Sequence, residues 1–270
     1  MKITFLGGGN MAAALVAGLV KQGFTPTDIQ VVELLAEQRQ KLAEVYGVVC
    51  LPQVEASALE SDVLVLAVKP QQMQAALAPF AGRLQHQIVV SIAAGLTLEI
   101  LSRWLGGYRR IVRAMPNTPA MIGAGMTGLC ALPEVTLNER FAAERILQAA
   151  GTTLWVEDEA MMDAVTAISG SGPAYLFLFL EALEQAAAEL GFPPEQARLL
   201  AIETTLGAAR LAAASPEPAS VLRQRVTSRG GTTEAALNVM QERGVVDGII
   251  AGARAAEARG RELARQLGGA

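Results

Sequence analysis

The residue pattern with the clearest chemistry is a cluster of glycines near the N-terminus, where a short apolar run ends. Gly7-x-Gly9-x-x-Ala12 fits the dinucleotide-binding fingerprint, in which alanine is allowed at the third small position. The first glycine permits a tight turn, and the second lets the backbone approach a pyrophosphate. Free N–H groups at the start of the following helix would bind the phosphates. An ordinary glycine-rich turn is the alternative, but the flanking strand and helix favour nucleotide binding.

An acidic residue closes the second predicted strand, residues 29–33. In this fingerprint an acid at the position of Glu33 bonds the ribose hydroxyls and repels a 2′-phosphate, which favours NADH over NADPH. Arg39 lies close enough in sequence to oppose that charge. A solvated glutamate at a strand end is the other interpretation.

A stretch that begins at Asp62 and continues as an apolar run over residues 63–68 predicts a buried parallel strand that ends at Lys69 and Pro70. Ligands of such sheets bind at the carboxyl ends of the strands. Lys69 therefore either offers a positive charge to a cofactor or is an ordinary surface lysine, and the sequence leaves both readings open.

A second loop with chemical potential spans residues 226–235 and contains Ser228, Gly230, Gly231, Thr232 and Thr233. Backbone N–H groups and hydroxyls converge there at the start of a predicted helix, as in sites that bind carboxylate or phosphate. Simple N-capping by Thr232 or Thr233 is the alternative, but it uses one hydroxyl and leaves the glycine pair unexplained.

Reduction of a carbonyl usually needs a strong proton donor, and this chain offers few. The only histidine, His86, lies in a polar loop, and every lysine precedes residue 70. A hydroxyacid dehydrogenase of similar architecture takes a catalytic lysine from its helical domain, so this class is disfavoured. A protonated imine is already electrophilic and needs only an orienting hydroxyl and an anchor for its carboxylate.

Strands alternate with helices from the N-terminus to about residue 157, and only helical patterns follow. The sequence therefore predicts an α/β fold: an N-terminal Rossmann-type, doubly wound, mostly parallel sheet over residues 1–157, and a C-terminal all-helical domain over 158–270. The helix predicted over 174–190 is apolar on nearly all sides. A second subunit would bury it, unless it is a central core helix.

Composition excludes several classes of function. The chain has 270 residues and a net charge of −4 without charge blocks, which argues against nucleic acid and anionic membranes as partners. Two distant cysteines and a single histidine provide no metal site. The apolar stretches are short, and the start matches a first strand rather than a signal peptide, so we expect a cytoplasmic protein.

Five motifs occur in an order that resembles pyrroline-5-carboxylate reductase over essentially the full length. They are residues 5–12 (FLGGGNMA), 67–71 (AVKPQ), 115–119 (MPNTP), 169–175 (SGSGPAY) and 228–233 (SRGGTT). The resemblance implies reduction of 1-pyrroline-5-carboxylate to L-proline, the last step of proline biosynthesis, with NADPH or NADH. It also implies a small-molecule substrate, a homodimer formed by the helical domain and, in many members, a decamer.

Positions carried over from the family define a candidate site. The cofactor would contact Gly7, Gly9, Asn10, Met11, Glu33, Val68, Lys69, Pro70, Ala94 and Asn117. The substrate would contact Glu159, Ser228, Gly231, Thr232 and Thr233. The Thr233 hydroxyl would face the ring nitrogen as the catalytic, orienting hydrogen-bond partner.

Two positions depart from the family pattern. Arg229 replaces a common proline, and Glu33 stands where many members have neutral or basic residues. The sequence also leaves three alternatives: a reductase of another cyclic imino acid, a 2- or 3-hydroxyacid dehydrogenase, and a non-catalytic NAD(P)-binding redox sensor.

Overall fold

The computed structural model describes residues 1–268, so the last two residues of the predicted helical domain lie outside the described residues. The chain separates into two compact units. The first, the sheet unit, comprises Met1–Ser171 and the segment that begins at Ala256; the second, the helical unit, comprises Gly172–Ala255.

The sheet unit contains eight strands. They are β1 (Ile3–Leu6), β2 (Ile29–Val32), β3 (Val49–Leu51), β4 (Val63–Leu66), β5 (Ile88–Ser91), β6 (Ile111–Met115), β7 (Gly125–Ala131) and β8 (Gly151–Trp155). Their order is β3-β2-β1-β4-β5-β6-β7-β8, and only the β6–β7 pair is antiparallel. The predicted Rossmann-type, mostly parallel sheet is confirmed.

Helices accompany the strands of this unit. They are α1 (Asn10–Lys21), α2 (Ala36–Tyr46), α3 (Pro70–Leu77), α4 (Leu98–Trp104), α5 (Leu137–Gln148) and α6 (Met161–Val165). Successive residues of β4 point to opposite faces of the sheet: Val63 and Val65 join one core cluster, while Leu64 and Leu66 join the other. Both faces are therefore covered, which explains why the strand reads as a continuous apolar run.

Some element boundaries differ from the predictions. The sequence pattern predicts a helix near residues 54–60, where the structure has a 3-10 turn, Ala56–Glu60. It also predicts a helix over residues 71–81, whereas α3 ends at Leu77. A further 3-10 turn, Ala78–Phe80, continues that helix. Pro79 has no N–H and cannot join an α-helical ladder, which accounts for the early end.

Gly170, Ser171, Gly172 and Pro173 predict an interruption of the helical pattern. The structure has a π-helical turn just before them, Thr166–Gly170, in which Ser171 N donates to Thr166 O at 2.8 Å, and α7 begins at Gly172. Helical structure is predicted for this region, but the π turn is not. Single π turns inside helices often mark functional sites.

The helical unit begins with α7 (Gly172–Glu189), α8 (Pro194–Ala214), α9 (Ala219–Arg225) and α10 (Thr232–Glu242). The last helix, α11 (Val245–Gly268), starts in this unit and ends in the sheet unit. No residue of α7 is buried, and Phe177 and Leu178 are 59% and 68% exposed. The interpretation of α7 as a core helix of its own chain is therefore wrong.

The helical stretch Met161–Glu189 is also the one part of residues 1–268 whose length and composition would allow it to cross a membrane. This differs from the expectation that the apolar stretches are all too short. One such helix is weak evidence for a membrane span, because helices of soluble proteins meet the same criteria of length and composition.

Candidate functional site

The glycine loop between β1 and α1 has the geometry of a phosphate site. Gly7 has φ +101°, and a Cβ there would lie 2.8 Å from Ala67 O, so only glycine fits. A Cβ at Gly9 would meet no atom within 4 Å, which leaves open space over the loop. Gly9 is also the N-cap of α1 and forms no side-chain capping bond. The first N–H groups of α1 are thus free of intrahelical partners and face that space.

Glu33 holds this loop from the end of β2. Its Oε2 accepts a hydrogen bond of 2.8 Å from Gly8 N, and its Oε1 accepts one of 2.9 Å from Leu35 N. Gln38 Nε2 donates a hydrogen bond of 2.7 Å to Gly8 O, so both the N–H and the carbonyl group of Gly8 are bound by side chains. The carboxylate is therefore fixed in orientation at the predicted ribose position.

Arg39 is bound to the backbone beside Glu33. Its Nη1 donates to Glu33 O at 2.8 Å and to Leu34 O at 2.7 Å. Because one nitrogen donates to two carbonyl oxygens, the guanidinium group is fixed at the turn after β2. The carboxylate of Glu33 lines the adjoining cavity, whereas Arg39 does not.

That cavity has a volume of about 970 Å³ and lies at the carboxyl ends of β1, β2 and β4. Five of the predicted cofactor residues line it: Gly7, Gly9, Glu33, Val68 and Lys69. Val54, Ala75, Ala76 and Pro79 also line it and provide apolar surface that suits a flat base. The residues fit a dinucleotide: N–H groups at the start of α1 for phosphate, an acid for ribose and apolar side chains for adenine.

The other predicted cofactor residues do not line the cavity. Asn10 and Met11 open α1, Pro70 opens α3 after Lys69, and Ala94 is exposed in the loop after β5. The structure thus brings five of the predicted cofactor residues together in one cavity. The four residues named here lie at the starts of two helices and in one loop.

Asn117 uses its side chain to join three segments. Its Oδ1 accepts from Met126 N at 2.9 Å, and its Nδ2 donates to Ser169 O at 2.9 Å. Pro173 has no N–H for the carbonyl four residues before it, so Ser169 O is available to Asn117. The amide fixes the 3-10 turn after β6 against the π turn, a role that the sequence did not reveal.

Glu159 lies in the sheet unit, just before α6. Its Oε1 accepts from Arg113 Nη1 at 2.9 Å and from Leu98 N at 2.8 Å. The Arg113 side chain is only 5% exposed, whereas that of Glu159 is 27% exposed. Glu159 is thus joined to the start of α4, a contact that no sequence pattern indicated.

The hydroxyl loop of the helical unit is preorganised by its own backbone. Gly231 is the N-cap of α10 and forms no side-chain capping bond, so the alternative of capping by Thr232 or Thr233 is wrong. A Cβ at Gly231 would lie 2.5 Å from Ser228 Oγ, so a larger residue there would displace the Ser228 hydroxyl. Gly231 N donates to Ser228 O at 3.0 Å, which commits one of the N–H groups expected to bind substrate.

Glu234 adds a negative charge to this loop. Its Oε2 accepts from Gly230 N at 2.7 Å. The N–H groups of Thr232 and Thr233, in the first turn of α10, have no acceptor within the helix. They remain the natural donors for an anion. A cavity of about 690 Å³ borders the loop at Thr227 and Glu234, but Ser228, Thr232 and Thr233 do not line it.

Comparison with known proteins gives two family matches. Residues 159–263 match the model described as "Pyrroline-5-carboxylate reductase dimerisation". Residues 2–95 match "NADP oxidoreductase coenzyme F420-dependent". The pyrroline-5-carboxylate reductase of Pseudomonas aeruginosa is 44% identical over 268 residues, covering 99% of this chain and 98% of the relative. The chain belongs to the pyrroline-5-carboxylate reductase family.

Solved structures agree with this assignment. A pyrroline-5-carboxylate reductase from Coxiella burnetii has a TM-score of 0.92 at 42% identity and covers 97% of this chain and 98% of its own. The Plasmodium falciparum pyrroline carboxylate reductase, solved with NADP bound, has a TM-score of 0.87 at 26% identity, with 98% of each chain covered. The family resemblance, the fold and the class of NAD(P)-dependent oxidoreductase expected from the motifs are confirmed.

Sequence reasoning missed three groups that shape the site: Arg113, Gln38 and Glu234. A charged residue inside the apolar strand Ile111–Met115 is a signal that could have identified Arg113 as a paired, buried cation. Gln38 and Glu234 act through backbone contacts on glycines, and their sequence context carries no comparable signal.

Proposed function

We propose that this protein reduces 1-pyrroline-5-carboxylate to L-proline with NADH or NADPH. The observation that carries the proposal is the presence of two preorganised loops in one chain of this family: a glycine loop opening on a cavity of about 970 Å³, and a hydroxyl loop at the start of α10. The first suits a dinucleotide and the second suits a carboxylate. A cyclic imino acid carries that carboxylate.

The cofactor is held through the sheet unit in this proposal. Gly7, Gly9 and the first turn of α1 at Asn10 and Met11 receive the phosphates, and Glu33 receives the adenosine ribose. Val68, Lys69, Pro70, Ala94 and Asn117 complete the proposed set. When bound, NAD(P)H supplies the hydride, and the protein's part is to orient the reacting carbons and exclude water.

Substrate recognition is assigned to the hydroxyl loop. The N–H groups of Thr232 and Thr233 and the Ser228 hydroxyl bind the carboxylate, and Gly231 keeps the loop closed enough for them to converge. The Thr233 hydroxyl lies in the first turn of α10 and orients the ring nitrogen. No strong acid is needed, because the protonated imine accepts hydride directly.

The proposed dimerisation domain comprises residues 158–270, so it includes the helical unit and the segments of chain on either side of it. The exposed apolar side chains of α7 support a homodimer, since a lone chain leaves Leu176, Phe177 and Leu178 at least 55% exposed in water. The dimerisation model covers residues 159–263, which include this helix. Assembly of dimers into a decamer and a cytoplasmic location complete the proposal.

The test is loss of the NAD(P)H absorbance band on addition of 1-pyrroline-5-carboxylate, with NADH and NADPH compared side by side. Oxidation that depends on protein and imine, with proline as the product, is expected. Proline should be identified by chromatography, so that a slow side reaction of the cofactor is not mistaken for turnover. Cofactor binding without oxidation would refute the proposed reaction.

A further inference from the structure

Three charged side chains form a partly buried cluster in the sheet unit. Arg113 of β6 pairs with Glu159 through Nη1 at 2.9 Å and with Asp163 through Nη2 at 3.6 Å. The side chains of Arg113 and Asp163 are 5% and 15% exposed. An ion pair at such burial seldom adds net stability over apolar packing, so net stability alone does not explain the cluster and a positional role does.

One oxygen of Glu159 connects this cluster to α4. Oε1 binds Arg113 and also accepts from Leu98 N, the first residue of that helix. A charge-assisted hydrogen bond of this kind is stronger than one between neutral groups. The loop between β5 and α4 contains Ala94, so the carboxylate fixes the C-terminal end of a proposed cofactor loop.

The end of α11 packs over the same loop and the same cluster. A Cβ at Gly95 would lie 3.2 Å from Leu267 Cδ1, and a Cβ at Gly260 would lie 3.4 Å from Asp163 Oδ1. Both approaches occur within the sheet unit. The loop is therefore held on one side by Glu159 and on the other by the last turns of the chain.

We infer that Glu159, oriented by Arg113, is a positioning residue for the cofactor loop at Ala94, rather than a substrate ligand. The inference rests on the proposed function in that Ala94 is taken to contact the nicotinamide cofactor. Arg113 places the carboxylate, the carboxylate fixes Leu98 N, and the loop keeps the conformation that receives the cofactor.

The test uses two variants that separate the effect of the length of the Glu159 side chain from the effect of its charge. Glu159→Gln keeps the length of the side chain and an amide oxygen for Leu98 N, whereas Glu159→Asp keeps the charge for Arg113 but is one methylene shorter. Glu134→Asp is the matched control, because Glu134 pairs with Arg109 at an exposed site of the same unit. Thermal unfolding confirms that each variant is folded.

Dissociation constants for NADH and NADPH are measured by fluorescence titration without imine, and hydrogen exchange is followed in the peptide that contains Leu98. We expect Glu159→Asp to raise both dissociation constants roughly tenfold and to speed exchange at the start of α4. Glu159→Gln should remain within about threefold of the parent protein, and the control should be unchanged. A merely structural role would speed exchange in β4 and β5 as well.

Two results would overturn the inference. One is unchanged cofactor affinity and unchanged exchange at Leu98 in Glu159→Asp. The other is a raised KM for the imine with unchanged cofactor affinity, which would make Glu159 a substrate ligand. Since the titration contains no imine, failure of the parent protein to reduce 1-pyrroline-5-carboxylate would refute the proposed function without affecting this result.

Discussion

Glu33 Oε2 accepts a hydrogen bond of 2.8 Å from the backbone N–H of Gly8, across 25 positions of sequence. The acid at the end of β2 thus touches the glycine loop directly. Its carboxylate has a fixed place beside the cavity, so its charge acts on whatever occupies the ribose position.

Replacing Glu33 by Gln should shift the cofactor preference toward NADPH. The variant removes the negative charge that a 2′-phosphate would meet, so we expect the ratio of NADPH to NADH affinity to rise by about tenfold. A weaker hydrogen bond to Gly8 N changes the affinity for both cofactors equally. The ratio of the two affinities therefore reports only the effect of the charge. Fluorescence titration with each cofactor measures it. Glu37→Gln, an exposed neighbour on α2, is the control, and an unchanged ratio in Glu33→Gln would show that Glu33 does not discriminate.

Removal of the Thr233 hydroxyl should impair turnover while leaving cofactor binding intact. For Thr233→Ala we expect kcat/KM for the imine to fall by roughly 10- to 100-fold, as for loss of a hydrogen bond to a charged group. NAD(P)H affinity should stay within about twofold, because the glycine loop is untouched. Thr233→Ser keeps the hydroxyl and should recover most of the activity. Equal loss of activity and cofactor affinity would remove Thr233 from its proposed role.

Gly18→Ala should destabilise the protein, although alanine is the better helix former by about 1 kcal/mol. A Cβ at this position of α1 would lie 2.0 Å from Ala149 O, a backbone atom that cannot move without shifting the end of α5. The steric clash therefore outweighs the gain in helix propensity. Differential scanning calorimetry should show a lower Tm, and a higher Tm would mean that α1 and α5 are not packed so closely.

The two cysteines should differ in reactivity. Burial raises the pKa of the Cys130 thiol, and the nearby Glu159 carboxylate raises it further. Burial also raises the pKa of Cys50, although Arg39 partly opposes the shift. Because the thiolate is the reactive form, both should react with iodoacetamide more slowly than a free thiol, and faster as pH increases. Cys50 is only partly buried and should be labelled first; mass spectrometry that found Cys130 labelled first would contradict this order.

Several features of the fold followed from sequence because their cause is local. The alternation of apolar runs with helical patterns predicted the strands, and right-handed crossovers then dictate a parallel sheet. The glycine loop and the hydroxyl loop were also visible, since turn chemistry depends on neighbouring residues. Boundaries shifted where a proline or a π turn altered the helical ladder, as at Pro79 and at residues 166–170.

The sequence by itself determined the family and the type of sheet, and it located the two loops that we propose bind cofactor and substrate. Only the tertiary structure decided how individual side chains are used: Glu33 on Gly8, Asn117 on Ser169 and Glu159 on Arg113 and Leu98. These contacts join residues 25 to 61 positions apart. No local pattern specifies them, because a hydrogen bond between distant residues depends on how strands and helices pack, which periodicity along the chain does not encode.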